Sequence, residues 1–152
     1  MEKVPGVLRD KLGISVAQRT YKANRRLLDS ARWLRLANAG ARPQRLLWAS
    51  TGTKHPAASD ALYIKALAAL FTVNTIPDKS LLAFADHCSV GERMAADGGD
   101  AEEVLAKFAK AGTDYDKLGS DLQREAGEPF VKDWNEMLAS IASKSAACNA
   151  AG

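Results

Sequence analysis

At 152 residues, 47% hydrophobic and 26% charged, the chain is long enough for one domain with a buried core and too apolar to be disordered throughout. No apolar run approaches the roughly 20 residues of a membrane span, and residues 1–6 (Met1 to Gly6) lack an apolar stretch followed by a cleavage site. A cytoplasmic protein with no membrane partner is therefore expected. Cys88 and Cys148 stand far apart without CxxC or metal-ligand spacing, so free thiols are expected, with no metal and no cofactor.

The net charge of +3 hides an asymmetry. Residues 1–54 hold twelve Lys or Arg against three Asp or Glu, and residues 55–152 hold nine against fifteen. The basic part suits something negative. Its arginines are spread along helix faces without interleaved aromatics, which argues against nucleic acid and leaves an acidic segment or a phosphorylated metabolite.

In chain order, Ile14, Ala17, Tyr21, Leu27, Leu28 and Leu34 recur at helical steps with Arg19, Lys22, Arg25 and Arg26 between them, which predicts an amphipathic helix. Ser30 is suited to capping a second helix through Trp33 and Leu36 that ends at Gly40, and Pro43 forbids continuation. Residues 45–49 read as a strand covered on both faces, because no polar residue alternates in its middle. After the loop Ser50-Thr51-Gly52-Thr53-Lys54, Ser59 is placed to cap a helix with Leu62, Tyr63, Ala66 and Leu67; residues 71–74 form a second strand and Asp78 opens a further helix.

Residues 89–99, with Gly91, Gly98 and Gly99, are a linker by composition. Then come a helix over 101–111 with Val104, Leu105 and Phe108 on one face, a second from Thr113 with a capping-box-like Asp116, and a third starting near Pro129 with Phe130, Trp134, Met137, Leu138 and Ile141 in one stripe. The expected organisation is thus residues 1–88, a linker over 89–99, helices over 100–146, and a frayed tail over 147–152.

Strand, loop, helix, strand is a βαβ unit, and ligands of α/β folds bind at the carboxyl edge of the parallel strands. Hydroxyls, backbone N–H groups and one ammonium at that edge, on Ser50, Thr51, Gly52 and Lys54, suit a phosphate. Outside any wider context the same residues make an ordinary turn and a solvated lysine. His55 and His87 share no ligand spacing with Cys, Asp or Glu. Trp33, Trp48 and Trp134 read as core residues, and Asp60 and Glu136 as capping or surface groups.

The block Gly40-Ala41-Arg42-Pro43-Gln44-Arg45-Leu46-Leu47-Trp48-Ala49-Ser50-Thr51-Gly52-Thr53-Lys54, followed by Ser59-Asp60-Ala61-Leu62-Tyr63, Thr72-Val73-Asn74-Thr75 with Pro77, Ala85-Asp86-His87 and Phe130-Val131-Lys132-Asp133-Trp134-Asn135-Glu136, resembles the C-terminal part of a bacterial transaldolase. The branch in question also occurs fused to glucose-6-phosphate isomerase. The resemblance implies an α/β fold, the C-terminal portion of a (β/α)8 TIM barrel with about two parallel strands and a mostly helical remainder. Residues 45–50 would be the seventh strand and 71–74 the eighth.

It also implies that Ser50, backbone groups of Thr51 and Gly52, and Lys54 hold a sugar phosphate, with Lys54 a point charge where many members use an arginine. The family transfers a dihydroxyacetone unit between sugar phosphates in the pentose phosphate pathway through a Schiff-base lysine. That lysine and its acid-base partners come from strands one, three and four, ahead of anything present here. No catalytic residue is therefore expected in these residues. The chain is expected to be inactive alone, with sugar phosphate binding weak or absent, and a complementary N-terminal barrel piece or self-association is the implied macromolecular partner. The alternative is a non-catalytic helical binding or structural protein derived from the family. Leu70, Ile76 and Cys88 depart from the family pattern, where Pro, Met and Gly are usual.

Overall fold

The computed structural model describes residues 4–89 and 91–150; the expectations for the extreme termini and for Val90 in the linker lie outside the described residues. The chain divides into two compact units, Met1–Ala111 and Gly112–Gly152. Each is taken by itself.

In the first unit, a 3-10 turn at Gly6–Leu8 leads to α1, Leu12–Leu28, whose last turn carries Arg25 and Arg26, cations at the negative end of the helix dipole. The Ser30 hydroxyl accepts the Trp33 N–H at 3.2 Å and starts α2, Ala31–Asn38, as its position predicts. Gly40, at φ 95°, ends α2: its N–H donates to Ala37 O, and the Ala41 N–H to Leu36 O. A side chain at that φ would be strained, so the glycine supplies the stop.

Strands β1, Leu46–Trp48, and β2, Thr72–Asn74, pair in parallel with Leu46 opposite Thr72 and Trp48 opposite Asn74. The short helix α3, Leu62–Ala66, lies in the crossover. The Thr75 N–H donates to Trp48 O at 3.0 Å and carries the ladder one residue past β2. The expectation that β1 is covered on both faces is corrected: Trp48 is 8% exposed but Leu47 is 50% exposed. Side chains alternate along a strand, so Leu46 and Trp48 pack with Tyr21, Leu67, Ala17, Tyr63, Ala69 and Met94 while Leu47 points the other way. The buried indole N–H of Trp48 finds no acceptor among the described residues.

Helix α4, Asp78–His87, follows β2, and α5, Ala101–Lys110, lies against α1. Leu8, Val104 and Phe108 form a second cluster with Val4, Leu12 and Ala111 around it. Arg19 on α1 donates to both carboxylate oxygens of Glu102 on α5, at 2.9 and 2.6 Å. Within the glycine-containing segment before α5, the Met94 N–H donates to Ala68 O at 2.8 Å. Gly98, at φ 88°, sits so close to α1 that a Cβ would lie 3.1 Å from Lys22 Cδ.

The second unit is one helix, α6, Tyr115–Ala150. The sequence reading of two helices meeting near Pro129, with a frayed tail from 147, differs from this: α6 runs through Pro129 and stays helical to Ala150. No residue from 112 to 148 is buried, so no packing diverts the chain where the proline removes one hydrogen bond. The cap is also one residue away from the expected place. Asp114 Oδ1, not a group on Thr113 or Asp116, accepts the Lys117 N–H at 2.9 Å. Trp134, expected in a core, is exposed. No described helix is long and apolar enough to cross a membrane.

Candidate functional site

Both strands end at the same edge, and the loops that leave them are tied together. Ser50 is exposed and has φ 57°, a left-handed conformation uncommon for a residue with a Cβ and of the kind that clusters at ligand sites. This turn drives Thr51 inward. Its side chain is 3% exposed and its hydroxyl donates to Asn74 Oδ1 at 2.8 Å, with Thr75 O at 3.5 Å. At Gly52 a Cβ would lie 3.4 Å from Pro77 Cγ, so the loop after β1 rests on the loop after β2. The Thr53 hydroxyl donates to Asp60 O at 3.4 Å.

Of the four residues expected to hold phosphate, Ser50 and Lys54 present exposed side chains. The Thr51 hydroxyl is engaged by Asn74, which leaves Thr51 its backbone N–H for an anion. Lys54 has no ion-pair partner among the described residues. The arrangement offers a hydroxyl, peptide N–H groups and an ammonium at the mouth of the strand pair, donors of the kind an anion takes. It offers no nucleophile poised beside a base.

A second constellation was not legible in the sequence. His87, at the end of α4, has Nε2 3.2 Å from Asp60 Oδ1 and Nδ1 3.3 Å from Asp86 Oδ2. The hydrogen bond with Asp60 and then that with Asp86 raise the imidazole pKa above its ordinary value. Cys88 Sγ joins them: the ligand atoms of Asp60, His87 and Cys88 lie within 4.8 Å of one another. The sequence suggests a cap or surface group at Asp60 and no ligand spacing for His87, and the structure brings the two together. Twenty-seven residues separate the two, and no local periodicity reports such an approach. His55, the other histidine, pairs through Nδ1 with Asp10 Oδ2 at 2.9 Å.

The family model described as Transaldolase/Fructose-6-phosphate aldolase matches residues 2–141. The chain belongs to the transaldolase family. It is 42% identical over 135 residues to a transaldolase of Parafrankia sp. (strain EAN1pec), which takes in 88% of this chain and 37% of that protein. It is 39% identical over 144 residues to a transaldolase of Saccharopolyspora erythraea, covering 93% and 39% respectively. With a transaldolase of Mycolicibacterium smegmatis the identity is 42% over 132 residues, 86% of this chain and 36% of the relative. This transaldolase-family chain therefore spans little more than a third of the length of the curated relatives it matches. The matched region includes β1, β2, and the loop carrying Ser50, Thr51, Gly52 and Lys54.

Proposed function

We propose that this chain carries the seventh and eighth strands and the phosphate-binding end of a transaldolase barrel, acting in transfer of a dihydroxyacetone unit between sugar phosphates. These 152 residues alone bind the phosphate weakly and turn nothing over. One observation carries the reading: two parallel strands whose outgoing loops are locked by the Thr51–Asn74 hydrogen bond, with the exposed Ser50 and Lys54 beside it. The phosphate would take hydrogen bonds from Ser50 Oγ and the N–H groups of Thr51 and Gly52, with Lys54 as a point charge. An exposed ammonium 4 Å from a charge contributes about 1 kcal/mol in water. A dissociation constant near 1 mM corresponds to about 4 kcal/mol, so a handful of such solvent-exposed contacts supports millimolar binding at best.

The barrel partner in this reading is a complementary piece supplying the other strands, covering the open Leu47 face and the free edge of each strand. A cytoplasmic location and the pentose phosphate pathway belong to the same reading. Titrating the chain with fructose 6-phosphate and following its amide resonances tests this binding: shifts confined to residues 50–54 and the Asn74 region are expected. Their absence at tens of millimolar rejects it. Transaldolase assay of the chain is expected to give no turnover, and a borohydride-trapped substrate adduct on Lys54 or Lys65 would overturn the inactivity. The alternative, a non-catalytic helical binding protein derived from the family, is favoured by one feature, the exposed stripe of Phe130, Trp134, Met137 and Ile141 on α6.

A further inference from the structure

The Asp60, His87 and Cys88 cluster lies outside the four residues assigned to the phosphate, and it brings oxygen, nitrogen and sulfur donors together. A neutral imidazole has one N–H, yet both ring nitrogens of His87 face a carboxylate oxygen, at 3.2 Å to Asp60 and 3.3 Å to Asp86. If Nδ1–H donates to Asp86, the Nε2 lone pair points at an anionic oxygen. A second ring proton removes that conflict, and so does a metal ion between Nε2 and Asp60 Oδ1; the thiol within reach of the same point favours the metal.

We propose that Asp60 Oδ1, His87 Nε2 and Cys88 Sγ form a binding site for a divalent transition-metal ion of the zinc type, completed by water. Oxygen, nitrogen and sulfur donors are the set such an ion takes, and the thiolate disfavours magnesium and calcium. Metal–ligand lengths of about 2.0–2.3 Å place tetrahedral donors roughly 3.3–3.7 Å apart. Asp60 and His87, at 3.2 Å, are close to that spacing already. Cys88 Sγ closes the remaining ångström or so by side-chain rotation, from a residue whose backbone has left the helix at φ −121° and ψ 156°. The thiol proton passes to solvent as the Sγ–metal bond forms. Asp86 then has a defined part: accepting the Nδ1–H, it fixes the tautomer that leaves Nε2 free to ligate. The ion would tie the end of α4 to Asp60, whose carbonyl accepts the Thr53 hydroxyl, and so brace the loop after β1. The site stands independently of the phosphate reading.

Cobalt(II) is the probe, added to the full chain with Cys148→Ser removing the other thiol. One ion per chain and a thiolate-to-cobalt charge-transfer band are expected, with zinc abolishing the band by displacement. Cys88→Ser should remove the band. Asp60→Asn and His87→Gln should each weaken binding at least tenfold while leaving the far-ultraviolet circular dichroism unchanged; their ligands are exposed, so they test the site even if Cys88→Ser disturbs the end of α4. No charge-transfer band overturns the proposal and leaves His87 as an imidazolium bridging two carboxylates. A band that survives Cys88→Ser, or affinity indifferent to both Asp60→Asn and His87→Gln, overturns it as well.

Discussion

Phe108 in α5 is 5% exposed and Phe130 in α6 is 77% exposed, and these two phenylalanines separate the two units of the chain. In the first, helices α1 and α5 exist because their apolar faces meet other elements, and side-chain bonds between them, such as Arg19 to Glu102, join residues more than eighty positions apart. In α6 the ion pairs are local: Lys117 with Asp121, Arg124 with Glu128, Lys132 with Glu136. Exposed pairs of this kind contribute about 0.3–0.5 kcal/mol each, whereas burying one phenylalanine contributes about 1.5–3 kcal/mol. Amphipathic pattern alone therefore does not tell a helix that is held from one that is offering its face.

The largest expected effect breaks the contrast most directly. Phe108→Ala should destabilise the first unit by about 3–5 kcal/mol in chemical denaturation, while Phe130→Ala should change stability by less than about 0.5 kcal/mol. Equal losses would show that α6 is packed like α5. Next, Pro129→Ala restores a helical hydrogen bond in α6 and should stabilise that helix by about 3 kcal/mol. Far-ultraviolet circular dichroism should report more persistent helix on heating, and the unfolding midpoint of the first unit should not move.

A smaller effect probes the core beneath β1. The buried Tyr21 hydroxyl, whose residue is 2% exposed, donates to Leu70 O at 3.2 Å. Tyr21→Phe should cost about 1 kcal/mol, read as a lower denaturation midpoint with an unchanged slope. The smallest concerns Glu102, whose pKa is lowered first by its hydrogen bond from Arg19, with the Arg19 and Lys22 charges acting the same way. A carboxylate depressed in the folded state adds stability above its unfolded pKa of about 4.3 and loses it as pH falls through the folded value. The stability difference between the parent chain and Glu102→Gln should thus be full at neutral pH and shrink below about pH 4. A difference that stays constant to pH 3 would mean the ion pair does not act.

Much of the fold was legible because its signals are short-range. The Ser30 cap, the stop at Gly40, and the strand-loop-helix-strand order each depend on a few adjacent residues. The loop after β1 was legible in the same way, as hydroxyls, glycine and lysine directly after an apolar run. Where the reading failed, the deciding group was distant or missing from the pattern. Leu47 looked as apolar as Trp48, yet one is half-exposed and the other buried. Trp134 looked like a core residue at the end of an apolar stripe, and no neighbour covers it among the described residues.

By itself the sequence determined the type and order of most elements, because caps, turn residues and apolar spacing act through the backbone over one or two turns, and its resemblance to transaldolases gave the family. Only the tertiary structure decided which face of β1 is covered, that Thr51 is locked to Asn74, that α6 continues past Pro129, and that Asp60 meets His87 and Cys88. Each of these depends on how the crossover and its neighbours bring distant residues within a few ångströms, or fail to, and no local preference of the chain encodes that distance.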